Sequence, residues 1–334
     1  MIDIVSEMLG VTPTKVSYVG GGGNSKVYKV TLPDNRIFAL KDYLSTSVDP
    51  SERLQKEYFS LKYLVNNGVN VVPKPLCKND DKGLAIYSWI KGDAILEPND
   101  SDITEILSFM DSLHKLRDKT NSDSIARATE SCFSANDIVK QINNRIDRLK
   151  SVNNFLVNKF LANNFIPVYE NTLSASKLFY KENNISFNDE IQDNIATLTA
   201  SDFGFHNALR SNTTINFLDF EYFGWDDPVK VISDFVWHPA MSITDQGLRF
   251  FIEKSFHIYS DDEFLSQRLK ALFPLFGLRW VLIILNEFLP EKWERRKQAK
   301  NMSDSELDKI EKEQLCKAEK ILEKVSGRYE QLFT

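Results

Sequence analysis

Ser201-Asp202-Phe203-Gly204-Phe205-His206-Asn207 and, after a short polar turn, Thr214-Ile215-Asn216-Phe217-Leu218-Asp219-Phe220-Glu221 form the stretch whose reading decides the fold. Phosphoryl transfer to a hydroxyl requires an Asp that orients the attacking group and an Asn five residues later that reaches a metal ion. It also requires a second Asp, delivered by a hydrophobic strand, that holds Mg²⁺ on nucleotide phosphates. Asp202, Asn207 and Asp219 have that order and spacing. The literal Asp202-Phe203-Gly204 suggests another register, with Asp202 as the metal ligand and Asp189 and Asn194 upstream of it. Only seven residues then separate Asn194 from Asp202, too few for two strands and a turn at about 5 residues per strand. In the preferred register residues 208–210 close one strand, Ser211-Asn212-Thr213 turns, and residues 214–218 return, leaving Asp219 at a strand end.

Upstream, residues 16–30 read as strand, glycine loop, strand: 16–19, then Gly20, Gly21, Gly22, Gly23, Asn24 and Ser25, then 26–30 with Val27 inside. Glycines between two strands let backbone N–H groups close over phosphates, because no Cβ keeps them apart. A dinucleotide fingerprint would instead open into a helix. A turn at 33–35 leads to a third strand, 37–41, ending on Lys41. A lysine buried there needs an anionic partner. The helix predicted over 51–66 supplies one, since it places Leu54, Tyr58, Leu61 and Leu64 on one stripe with Glu57 beside them. A further strand, 84–90, ends in Ser88, Trp89 and Ile90, whose backbone is positioned to meet an adenine.

Beyond residue 94 helical periodicity dominates, over 102–117, 136–162, 229–237, 243–258, 263–289 and 303–332, with 170–194 polar and irregular. The lone His114 is expected at a core edge. With 334 residues, 42% hydrophobic and 26% charged, the chain suits two globular parts. Its net charge of −6 argues against a nucleic-acid binder. Residues 1–95 carry 12 basic and 10 acidic side chains, a net +2 that leaves −8 for the remainder. That split suits a phosphate-binding first part and a neutral or cationic substrate for the second. Met1-Ile2-Asp3-Ile4 does not begin a signal or transit segment. The apolar run 271–289 contains Pro274, Arg279, Asn286 and Glu287, so a buried helix is expected rather than a membrane span. Cys77, Cys132 and Cys316 lack metal-ligand spacing, which points to a reducing cytoplasm.

Assembled in order, these residues resemble the aminoglycoside phosphotransferase and choline kinase family, and Gly224-Trp225-Asp226-Asp227-Pro228 extends the likeness over most of the chain. The resemblance implies an α+β, protein-kinase-like two-lobe fold: residues 1–93 as a nucleotide-binding N-lobe of sheet plus helix, and 94–334 as a helical lobe with the catalytic and substrate sites. It implies ATP (or GTP) and Mg²⁺ as cofactors, Asp202 as catalytic base, Asn207 and Asp219 as metal ligands, and Lys41 on the phosphates. The implied acceptor is a hydroxyl of a small molecule of aminoglycoside, amino alcohol or sugar type. Glu221, Trp225, Trp237, Arg279, Asn286 and Glu287 are the candidates for holding it. Three departures accompany the likeness: Ala200 stands where the family usually has His two residues before the base, Ser25 replaces a third loop glycine, and His206 directly precedes Asn207. Ala200 keeps open a nucleotide-binding but inactive regulatory protein. A protein kinase is disfavoured, because Asp227-Pro228 follows Asp219 too closely for an activation segment of about 20 residues. Singly each of these Asp residues is an ordinary turn cap; their joint order carries the reading.

Overall fold

The computed structural model describes residues 1–21, 24–43, 50–119, 125–212, 214–290, 304–327 and 329–333. Gly22 and Gly23 of the expected glycine loop, Thr213 of the expected turn and Ser303 lie outside the described residues. The chain divides into two compact units, Met1–Thr129 with Leu198–Trp225, and Glu130–Thr197 with Asp226–Thr334.

In the first unit α1 (Ile2–Leu9) stops at Gly10, whose φ of 69° is the left-handed cap that a residue without Cβ adopts cheaply. Then follow β1 (Lys15–Gly21), β2 (Ser25–Thr31), β3 (Ile37–Tyr43), α2 (Pro50–Asn66), β4 (Pro75–Asn79) and β5 (Leu84–Ser88). They build an antiparallel sheet in the order β1-β2-β3-β5-β4. Period-two alternation sends Val30, Leu40, Leu84 and Ile86 to one face, where they close a core with Leu32 and with Val5 of α1. Strand β4 escapes the sequence pattern because it opens on Pro75 at the sheet edge and alternates weakly.

The same unit continues with β6 (Asp93–Ala94), α3 (Asp100–Leu116), β7 (Thr197–Thr199), β8 (Ala208–Ser211), β9 (Thr214–Phe217) and β10 (Gly224–Asp226). β6, β8 and β9 form a small antiparallel sheet, with Ala208 opposite Phe217 and Arg210 opposite Ile215. Asn99 caps α3 in a reciprocal box with Asp102, and Asp102 also receives the Arg210 guanidinium, tying the helix to β8.

The second unit is helical: α4 (Ala135–Ser151), α5 (Phe155–Phe160), α6 (Ile166–Glu182), α7 (Pro228–Trp237), α8 (Asp245–Ile258), α9 (Leu265–Ile284) and α10 (Asp304–Gly327). The expectation of one helix over 136–162 is corrected, because Asn153 takes φ 56° after α4 and Asn154 caps α5 through Leu156 N and Val157 N. The expectation of irregular chain from 170 is corrected as well. A π turn (Leu161–Phe165) passes directly into α6, which buries only Tyr169, Ser176 and Tyr180, so its sequence reads as polar. Ser176 Oγ donates to the carbonyl of Ala271 at 2.7 Å.

Leu265–Phe288 is long and apolar enough to cross a membrane, and 78% of its most apolar window is buried inside the protein. At Gly277 of α9 a Cβ would meet Val325 Cγ2 at 2.6 Å and Trp237 Cε2 at 2.8 Å, so glycine is what lets α7, α9 and α10 approach. Beside this packing lies a buried charge network. Lys230 pairs with Asp226 at 2.8 Å and Asp234 at 3.1 Å, Arg279 pairs with Asp234, and Arg268 with Asp227 and Asp262. Each cation is matched by carboxylates, as charges taken out of water must be.

Candidate active site

Lys41 lies on β3 between β2 and β5, opposite Val27 and Ala85, and the sheet around it leaves the residue 8% exposed. Its Nζ donates to Glu57 Oε2 at 2.6 Å and to Asp219 Oδ1 at 2.7 Å. Burial alone would push the ammonium down, but the charges of Glu57, Asp219 and Glu221 override it and hold Lys41 above its ordinary value. Glu57 also accepts from Tyr43 Oη at 2.6 Å and from Phe220 N at 3.4 Å, which fixes α2 against β3 and against the segment after β9. Burial raises the Glu57 carboxyl, Lys41 pulls it down and Asp219 adds to the rise. Glu57, Asp219 and Glu221 each offer a carboxylate oxygen within 4.8 Å of the others.

Asn24, at the end of the glycine stretch, donates to Glu221 Oε1 at 2.6 Å and to Tyr222 Oη at 2.6 Å. The other oxygen, Glu221 Oε2, is buried without a hydrogen-bond partner. At Gly21 an added Cβ would lie 2.3 Å from Ser25 O, so the loop closes on itself only because this residue is glycine. Among the described residues the main chain of Trp89 and Ile90 makes no hydrogen bond, whereas Ser88 N–H donates to the Lys74 carbonyl and Ser88 Oγ accepts from Lys74 N–H, both at 2.8 Å. Lys29 Nζ lies 5.1 Å from the centre of the Trp89 ring.

The loop that carries Asp202 is bent by Ser201 at φ 67°, whose N–H is held by Thr199 Oγ1 at 3.0 Å and whose hydroxyl donates to Thr129 O at 3.3 Å. A 3₁₀ turn at Phe205–Asn207 then brings His206 Nε2 to 3.0 Å from Asp202 Oδ1. Asn207 Nδ2 donates to the Asp202 carbonyl at 2.9 Å, and the Asn207 carbonyl accepts from Leu218 N at 2.8 Å. The two Asp-bearing segments are therefore laced together through Asn207. Asp219, at φ 66°, turns its carboxylate toward Lys41. Beneath them Phe109 of α3 stacks on Phe217 at 4.0 Å and packs against Phe203 and Phe220 at 5.7 and 6.3 Å. Each Asp is thus followed by a Phe anchored on one ring.

The structure brings Asn24, Lys41, Glu57, Asp219 and Glu221 into one network, and links Asp202 with Asn207. Trp225 is 8% exposed on β10, with its indole nitrogen buried and unpartnered. In the second unit Trp237 is 6% exposed and donates to Phe273 O at 2.8 Å. Arg279 is 3% exposed and held by Asp234 and Gln141, whereas Asn286 and Glu287 sit on a 3₁₀ turn at Leu285–Phe288. Sequence reasoning did not assign His206 or Tyr43. The four-residue offset of His206 from Asp202 was the available signal for the first, and nothing local marks the second.

No protein-family model and no curated protein sequence matches the chain. Solved structures do. A spectinomycin phosphotransferase in complex with ADP and spectinomycin superposes with a TM-score of 0.61 at 13% identity, covering 97% of each chain. An ethanolamine kinase from Plasmodium vivax gives 0.58 at 16% identity over 91% of this chain and 82% of its own. An amicoumacin kinase in complex with AMP-PNP, Ca²⁺ and Ami gives 0.58 at 12% identity over 96% and 92%. Identities this low establish architecture: the chain has the protein-kinase-like fold of these small-molecule phosphotransferases.

Proposed function

We propose that the protein is a nucleotide- and Mg²⁺-dependent phosphotransferase that moves the γ-phosphoryl group of ATP (or GTP) to a hydroxyl of a small molecule of aminoglycoside, amino alcohol or sugar type. The observation that carries this reading is Lys41, held between Glu57 and Asp219 at 2.6 and 2.7 Å in the unit that also carries Asp202 and Asn207. In this reading residues 1–93 bind the nucleotide and residues 94–334 supply the base, the metal ligands and the acceptor site.

The donor set fits Mg²⁺. Asp219, Glu221 and Asn207 offer hard oxygen ligands, three carboxylates outnumber the single Lys41 ammonium, and Glu221 Oε2 is an orphaned buried oxygen. With its amide nitrogen engaged by the Asp202 carbonyl, Asn207 keeps Oδ1 for a cation. When bound, the metal neutralises the charge of the transferring phosphates. Lys41 orients the α- and β-phosphates, the amides around Gly21 cover the chain of phosphates, and the main chain of Trp89 and Ile90 meets the base. Asp202, whose side chain is 39% exposed, holds the acceptor hydroxyl in line and accepts its proton. His206 keeps that carboxylate in position. Helix α7 begins at Pro228, nine residues after Asp219, which leaves no length for a protein-kinase activation segment.

The test is transfer of label from γ-labelled ATP to a panel of hydroxylated small molecules. Asp202→Ala is expected to lower the rate by about 10²–10⁴-fold while Mg-nucleotide binding persists. Near-normal transfer by that variant contradicts the assignment of the base, and nucleotide binding with no transfer to any acceptor by the wild type favours the inactive regulatory reading.

A further inference from the structure

The second unit contains a cavity of about 850 Å³ walled by the end of α7, the start of α8, one face of α10 and the 3₁₀ turn Tyr329–Phe333. Part of its wall is apolar, built by Trp237, Met241, Leu248 and Ile321 among others. The Trp237 indole N–H is committed to Phe273 O at 2.8 Å, so the ring offers the cavity a surface without a free donor. The charged lining is mostly cationic: Arg249, Lys317, Lys320 and Lys324 share it with one carboxylate, Asp245. None of the four cations joins an ion pair among the described residues, whereas Lys230, Arg268 and Arg279 of the same unit are all paired.

Lys317, Lys320 and Lys324 follow at three- and four-residue offsets on α10, the spacing that puts like charges side by side on one helix face. In a chain of net charge −6, such a converged positive group over an apolar wall selects against the cationic ligands that the bulk charge would favour. The volume suits a compact organic molecule.

We infer that this cavity is a binding site for a small anionic amphiphile, a phosphate, sulfate or carboxylate head on an aliphatic or aromatic body, with the head on Lys320 and Lys324 and the body against Trp237 and Ile321. Every lining residue belongs to the second unit, and the head-group cations Lys320 and Lys324 are not among the residues assigned to phosphoryl transfer.

The probe is 8-anilinonaphthalene-1-sulfonate, titrated into the full-length protein with emission sensitised by tryptophan. Octyl phosphate, octanoate and octyltrimethylammonium serve as competitors with matched tails. Lys320→Gln/Lys324→Gln is expected to weaken binding about tenfold, Lys312→Gln on the same helix but outside the cavity to leave it within twofold, and only the anionic competitors to displace the probe. The ranking of octyl phosphate against octanoate identifies the preferred head. Circular dichroism and the Mg-ATP response of each variant verify that both units remain folded. Unchanged affinity in the double variant, or equal displacement by octyltrimethylammonium, overturns the inference. Loss of the nucleotide response alone bears on the phosphotransferase reading and leaves this one standing.

Discussion

His206 reaches Asp202 through the 3₁₀ turn Phe205–Asn207, which closes in about three residues rather than 3.6. Two left-handed residues frame the candidate site: Ser201 just before Asp202, and Asp219 itself, with φ of 67° and 66°. Such conformations cost a non-glycine residue free energy that surrounding hydrogen bonds must offset, here Thr199 Oγ1 on Ser201 N and Lys41 on the Asp219 carboxylate. A positioning role for His206 predicts that His206→Ala lowers kcat about tenfold, the worth of one hydrogen bond to a charged group. KM for nucleotide should stay unchanged, and His206→Gln should restore part of the rate. A fall in nucleotide affinity matching the fall in kcat would speak for a general structural defect instead. The spacing of Asp202, Asn207 and Asp219 was legible from residue order, as was the pairing of Lys41 with Glu57. The His206 contact was hidden because histidine in this kind of loop is usually sought nearer the Asp, and spacing alone does not disclose a 3₁₀ turn.

Helix α3 gives the two Asp-bearing segments their footing through one ring, since Phe109 meets Phe203, Phe217 and Phe220. Phe109→Ala is expected to lower stability by about 3–5 kcal/mol in urea unfolding. At temperatures where the variant remains folded, it should also reduce transfer more than Mg-nucleotide binding, because both Asp segments lose the same support. Strands β1, β2, β3 and β5 were readable because alternation and the flanking turns agree. Helix α6 was not, because only Tyr169, Ser176 and Tyr180 are buried along its length and the rest of its surface is polar. Arg279 and Trp237 illustrate the opposite difficulty. A polar or aromatic residue in an apolar stretch looks the same in sequence whether it faces a ligand or a buried Asp234 or Phe273 carbonyl.

Among the described residues of the second unit, the buried cations Lys230, Arg268 and Arg279 share the carboxylates of Asp226, Asp227, Asp234 and Asp262, whereas in the first unit three carboxylates crowd around Lys41. Burial would raise Asp234, but Arg279 and Lys230 hold it below 3.8. Its stabilisation is therefore complete above the unfolded value near 3.8 and disappears as pH falls through the lower folded one. Asp234→Asn should cost about 3 kcal/mol at neutral pH, as removal of one partner from a buried pair does, and the gap to wild type should narrow in urea titrations below pH 3.8. The central claim is that Lys41, Glu57 and Asp219 form a Mg-nucleotide site. Thermal melting with Mg²⁺ and ATP, GTP or neither, for wild type and Asp219→Ala, tests it most directly. Saturating ligand stabilises by about 2.7 kcal/mol at a hundredfold excess over Kd, so the account predicts a Mg-dependent rise of about 4 °C in wild type that is absent from the variant. No shift in wild type, or the same shift in Asp219→Ala, would contradict it.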